Sequence, residues 1–213
     1  SDSGADIPKH RVEELDITVV PLTIHFGDEE FKDGVDLDTT QFYSRLQAGG
    51  QPRTTQPSPA DFEAAYVKLQ DEADAIVSCH LSSELSGTMQ SAVLASTMDS
   101  VKVPVHVIDS RSASLGIGML AIEAARMAKD GASAEDIVQH VQGIVQRQQV
   151  FFLVDTLEYL QRNGRIGRAS AFVGGLLNIK PLLTIDDGVV APLERARGRN
   201  KARARLVELV TSG

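Results

Sequence analysis

Two rhythms of apolar and polar positions run along the chain. Short apolar, β-branched runs read as strands: Asp16–Thr23 (DITVVPLT), continued over Thr23–Phe26 towards a Gly-Asp turn, then Ala75–His80 (AIVSCH) and Val103–Ile108 (VPVHVI). Helical spacing marks Asp38–Leu46, Pro59–Leu69, Thr88–Met98, Leu115–Lys129 and Ala134–Gln146. Ser58-Pro59 makes a good N-cap and first-turn pair, and Phe62, Tyr66 and Leu69 then fall on one face. Strands separated by helices predict a parallel sheet covered on both faces. Near Gln149 the rhythm restarts. Val150–Val154 reads as a strand, Thr156–Arg162 as a short helix and Ala169–Leu177 as an apolar, glycine-bearing helix. Lys180–Ile185 and Val189–Pro192 follow as strands joined by Asp186-Asp187-Gly188, a hairpin turn. The predicted class is α/β: a mostly parallel sheet with flanking helices over residues 1–148, and a second, smaller α/β domain over residues 149–213.

Composition narrows the class without changing it. The 213 residues are 42% apolar with 17 glycines besides, the share of an ordinary folded domain, which excludes disorder and fibrous repeats. No run of 18 or more apolar residues occurs, so no integral membrane segment is expected. One cysteine, Cys79, cannot form an internal disulfide, and no apolar leader opens the chain; both favour a cytoplasmic protein. The net charge of −8 is uneven, at −10 over residues 1–75, −4 over 76–160 and +6 over 161–213. The basic third suits an anion or a contact with the acidic third. Its run from Arg195 to Arg205 holds six cations and no aromatic residue, so nucleic acid is not the expected partner.

In open α/β sheets, ligands collect beyond the carboxyl ends of strands, against helix N-termini. The loop after AIVSCH, Leu81 to Thr88 (LSSELSGT), places four hydroxyls and a glycine before a helix, the makings of a neutral anion cradle. Arg53 to Pro59 (RTTQPSP) repeats the theme, with Pro57 stiffening the approach. Its bland reading is a capping box. Ser1 to Asp6 (SDSGAD) would suit a loop after a strand. Catalytic and metal chemistry find little support. There is no Gly-x-Ser-x-Gly elbow; His25, His80 and His106 fall in or beside strands as ordinary core or rim residues, and His10 and His140 on the surface. One cysteine and no paired histidines at ligand spacing argue against a metal site, and no cofactor is expected. Gly116-Ile117-Gly118 lacks the rest of a dinucleotide fingerprint and suits close packing.

With these residues in view, the chain resembles the DegV family of bacterial fatty-acid-binding proteins. SDSGADIP (Ser1–Pro8) is similar to its opening TDSTADLP, Val20-Pro21-Leu22 to the strand that follows, Thr54–Ser58 (TTQPS) to TSQPS, and Ser82–Thr88 (SSELSGT) to SSGLSGT. LEYLQRNGRI (Leu157–Ile166), IKP (Ile179–Pro181) and the basic segment Arg195–Ala202 follow in the family's order. The resemblance implies one long-chain fatty acid bound between two domains and presented to a fatty acid kinase, with no chemistry of the carrier's own. It implies carboxylate ligands at Thr54 and Ser86 and a cation at Arg197, with Arg195 as fallback. Thr55, Gly87 and Ser3 are secondary candidates. It also implies that a first strand and a C-terminal part, with a His-Gly-rich motif, are lacking here. Thr55 stands for the family's Ser, and Glu84 for its Gly, with its charge expected to point outward.

Physical chemistry supports that picture. A buried carboxylate needs hydroxyls, amides or a cation to offset its lost hydration. About fifteen tail methylenes contribute on the order of 12 kcal/mol before ordering costs. Ala171–Leu177 is the candidate tail lining. The rival readings are a hydrolase or phosphotransferase using the serine-rich loop, and an interaction module whose basic tail binds RNA or a partner.

Overall fold

The computed structural model describes residues 1–174 and 179–211. They divide into two compact units, Ser1–Arg147 and Gln148–Gly213.

The first unit opens with a 3-10 turn, Ser3–Ala5, and helix α1 (Lys9–Glu14). Strands β1 (Thr23–Phe26), β2 (Glu29–Lys32) and β3 (Pro52–Thr55) form an antiparallel sheet ordered β2-β1-β3, with helix α2 (Thr39–Gln47) between β2 and β3 in the chain. Helix α3 (Pro59–Leu69) leads to β4 (Ile76–His80), α4 (Thr88–Ser96), β5 (Val105–Asp109), α5 (Leu115–Lys129) and α6 (Ala134–Val145). β4 and β5 pair in parallel, Ile76 opposite Val105 through His80 opposite Asp109.

The α/β alternation therefore holds, and the parallel ladder is shorter than the rhythm predicts: among the described residues only β4 and β5 form one. Asp16–Thr23 is the reason. Pro21 has no N–H to give a ladder, so this run supplies a single parallel bridge, Val20 to Asp2, before β1 begins. Helices cover both faces of the β4–β5 pair. Phe62 and Tyr66 of α3 and Ala92 and Ala95 of α4 pack with Ile76 on one side. On the other, Ile117, Leu120, Ala121 and Ala124 of α5 pack with Ile137 and Val141 of α6 against Cys79 and Ile108. Complete burial of one such side chain as Phe62 stabilises the fold by about 2 kcal/mol.

The caps follow the sequence closely. Asp38 and Gln41 close a capping box on α2, and Ser58 and Asp61 close one on α3 with Pro59 at the first position. Gly118 permits a close approach: a Cβ there would stand 2.6 Å from the Ala5 carbonyl oxygen.

The second unit holds β6 (Phe151–Leu153), helix α7 (Glu158–Arg162), a 3-10 turn over Gly167–Phe172, the hairpin β7 (Ile179–Asp186) and β8 (Val189–Arg197), and helix α8 (Arg199–Thr211). β7 is central in an antiparallel β6-β7-β8 sheet. Asp187 and Gly188 both take positive φ, 53° and 80°, at the hairpin tip, as a two-residue primed turn demands. The α-helix expected over Ala169–Leu177 is a 3-10 turn as far as Phe172, and Gly175, Leu176 and Leu177 lie outside the described residues.

Candidate functional site

The two hydroxyl loops meet. Thr54 and Thr55 end β3, opposite Ile24 and Thr23 of β1, and both are exposed. The Thr55 hydroxyl lies 3.0 Å from Nε2 of His25. Pro57, buried, turns the chain into α3, and Gln56 projects between. Its carboxamide reaches the second loop, where a Cβ on Gly87 would stand 2.5 Å from Gln56 Nε2. Gln56 is thereby brought against Gly87, next to Ser86 and the start of α4.

Each of the four hydroxyls expected to form a cradle in Leu81–Thr88 has a protein partner. Ser83 is turned aside: its hydroxyl donates to Asp109 Oδ2 at 2.6 Å. Ser82 is buried and its hydroxyl accepts from the Glu84 amide at 3.3 Å. Thr88 is buried, its hydroxyl 2.9 Å from that of Ser86. Ser86 also accepts the Thr88 amide at 3.3 Å. It is half-buried, with Thr88 behind it. Glu84 is exposed.

Behind this loop runs a buried polar chain that the sequence does not announce. Tyr66 OH donates to Ser78 Oγ at 3.0 Å, and Ser78 Oγ lies 2.7 Å from His80 Nε2. His80 Nδ1 lies 2.9 Å from Asp2 Oδ2. Because Tyr66 donates to Ser78, the serine proton goes to Nε2, and the imidazole proton sits on Nδ1 facing the carboxylate. Asp2 also accepts the amides of Gly4 at 3.0 Å and Leu81 at 3.1 Å. Asp2 and His80 are wholly buried, and Ser78 and Tyr66 nearly so. Burial pushes the His80 pKa down against the opposing pull of Asp2, and pushes the Tyr66 phenol up to about 12. The order Ser–His–Asp is that of a hydrolytic triad. Its serine, however, is saturated by Tyr66 and His80 and shut from solvent. The only sequence clue was the alternation of Ser78 and His80 on one face of β4, which an ordinary core strand also shows.

Ser3, a secondary candidate, accepts the Leu22 amide at 3.0 Å and bonds the Asp33 carboxyl. Burial raises the Asp33 pKa, with the Ser3 bond acting against it. A cavity of about 730 Å³ in the first unit lies along β4 and is lined by Ile76–Cys79 and by Ala121, Ala124 and Ala128 of α5; neither hydroxyl loop borders it.

In the second unit, Arg195 and Arg197 stand on β8 and are exposed. Arg195 donates to the Ala171 carbonyl at 2.9 Å and lays its guanidinium 4.4 Å from the Phe172 ring centroid. Together with Phe172, Val173, Gly174, Ile179 and Pro181, it lines a cavity of about 310 Å³. Three residues of the expected lining therefore border one hollow, whose walls also include the polar Asp155, Thr156, Glu158 and Gln161. Nearby, Asp155 pairs with Lys180 at 3.1 Å and Arg199 at 3.6 Å, which holds its pKa below the usual carboxylate range.

The model of the family described as "Uncharacterised protein, DegV family" matches residues 1–213. The chain belongs to the DegV family. A DegV domain-containing protein of Caldanaerobacter subterraneus is 43% identical over 95% of this chain and 72% of its own length. Among solved structures, a fatty-acid-binding DegV family protein from Thermus thermophilus is 38% identical with a TM-score of 0.90, over 99% of this chain and 75% of that one. A stearic-acid-binding protein from Eubacterium ventriosum is 28% identical with a TM-score of 0.91, over 99% and 74%. The DegV likeness thus spans both units. Among the described residues, no helix is long and apolar enough to cross a membrane.

Proposed function

We propose that this chain binds one long-chain fatty acid and acts as its carrier, with the carboxylate held by the hydroxyls of Thr54 and Ser86. The observation that carries the reading is the meeting of the TTQPS and SSELSGT loops at Gln56 and Gly87. Two motifs some thirty residues apart thereby present one exposed and one half-buried hydroxyl in the same neighbourhood. Neutral hydroxyl donors suit a carboxylate whose hydration is being removed. Relatives of the same fold that bind fatty acids support the ligand class.

Arg197 is the proposed cation, with Arg195 the second choice. Phe172 and Val173 are proposed tail contacts. The carrier presents its acid to a fatty acid kinase in the cytoplasm and does no chemistry itself. Ser86, the nucleophile a hydrolase would need, is bonded to Thr88 rather than to a histidine.

Extraction of the purified protein and mass spectrometry test the reading directly. A long-chain acid in about one-to-one ratio is expected. No lipid on extraction, together with no binding of oleate on titration, overturns it.

A further inference from the structure

We propose that Gln56 is a further head-group residue: its carboxamide, seated on the bare Cα of Gly87, donates an N–H to the carboxylate held at Thr54 and Ser86. This rests on the fatty-acid reading and adds to it a donor that selects a carboxylate over an uncharged head group.

The argument begins with why residue 87 is glycine. Its backbone does not require one: φ is −77° and ψ is 8°, open to any L-residue. Space does require it. A Cβ built on Gly87 meets Gln56 Nε2 at 2.5 Å, Cδ at 3.1 Å and Oε1 at 3.4 Å, and these three atoms are its nearest neighbours. The whole carboxamide lies against the glycine, with the nitrogen end closest. One side chain alone, then, accounts for the missing one.

The seat is next to the hydroxyl pair. Gly87 separates Ser86 from Thr88 in the chain, and the hydroxyls of those two are 2.9 Å apart. Gln56 arrives from the other loop, two residues after Thr54. The backbone of Gln56 is held between β3 and the buried Pro57, and the residue before a proline is restricted to extended conformations. The carboxamide is thus delivered by a stiff stretch of chain, which lowers the entropy lost when it engages a ligand. Its NH₂ group can donate to a carboxylate in a charge-assisted bond, stronger than the same bond to an alcohol.

The test is a double-mutant cycle read by oleate titration: the unaltered chain, Gln56→Ala, Gly87→Ala and the pair. Gln56→Ala is expected to weaken oleate binding roughly tenfold. Gly87→Ala is expected to do the same, because its methyl group evicts the carboxamide. Its unfolding midpoint should change little, since the displaced group is the end of a flexible, exposed side chain. The pair should bind no more weakly than Gln56→Ala alone, because the methyl then has nothing to evict. Gln56→Glu, equal in shape but without the donor, should be weaker still, and oleyl alcohol should lose less affinity than oleate on Gln56→Ala, because its bond to the carboxamide is not charge-assisted.

Unchanged oleate affinity in Gln56→Ala, or losses that add in the pair, overturns the inference and leaves the fatty-acid reading standing. If the unaltered chain binds no oleate, both fall together.

Discussion

Two polar regions of the first unit use the same residue types to opposite ends. The chain Tyr66–Ser78–His80–Asp2 is buried, and its donors and acceptors are satisfied within the protein. The loops carrying Thr54 and Ser86 also consist of hydroxyls beside a histidine and a carboxylate, yet they keep polar atoms at the surface. Whether a hydroxyl is available thus depends on what has already satisfied it, and hydroxyl density in the sequence cannot report that. Ser82, Ser83, Ser86 and Thr88 make the point inside a single motif, since each hydroxyl has a protein partner: the Glu84 amide for Ser82, Asp109 for Ser83, and each other for Ser86 and Thr88.

The comparison can be broken most forcefully at Asp2. Asp2→Ala leaves the His80 Nδ1 proton and the amides of Gly4 and Leu81 without their acceptor in a buried place. A loss of about 3 kcal/mol in unfolding free energy is expected by urea titration. A loss below about 1 kcal/mol would mean that the chain contributes little to stability.

Ser86→Ala should do the reverse, weakening oleate binding by roughly 1–3 kcal/mol while leaving the urea midpoint nearly in place. A shifted midpoint with unchanged affinity would make Ser86 structural, like Ser78.

Acid provides a finer probe. His80 has its pKa lowered by burial, so the unfolded chain binds the proton more readily than the folded one. Stability from this group is therefore full above the unfolded value near 6.5 and is lost as pH falls through it. A decline approaching 1.4 kcal/mol per pH unit is expected below about pH 6.5, and His80→Gln should flatten it. Asp33, with its pKa raised by burial, works in the opposite sense at more acid pH, where its carboxyl takes up a proton more readily folded than unfolded. A stability profile equally steep with and without His80 would remove the histidine from this account.

The smallest effect belongs to Glu84. Its exposed charge is screened, and Glu84→Gln should alter oleate affinity by no more than about 0.5 kcal/mol. A larger gain in affinity would place that carboxylate facing the ligand.

Local signals carried most of the secondary structure. Ser58-Pro59 before a one-faced apolar stripe, the acidic start of α6 and the Asp187-Gly188 turn each act within a few residues, so each was legible in order along the chain. The close approach at Gly118 was legible too, as a glycine in an otherwise strong helix. Asp16–Thr23 was misjudged because its composition suits a strand while Pro21 denies it a ladder. The buried chain was illegible for a different reason: Asp2 and His80 are 78 residues apart, and only folding brings them together.

The sequence by itself determined the α/β class, the DegV resemblance and the two hydroxyl-bearing loops, because motif, periodicity and capping are short-range properties. Only the tertiary structure decided that those loops meet at Gln56 and Gly87, and which partner each hydroxyl takes. It also decided that a Ser–His–Asp line serves the core instead of a substrate. Each of these turns on which groups share a surface and which already have partners, and both are settled by contacts between residues distant in the chain.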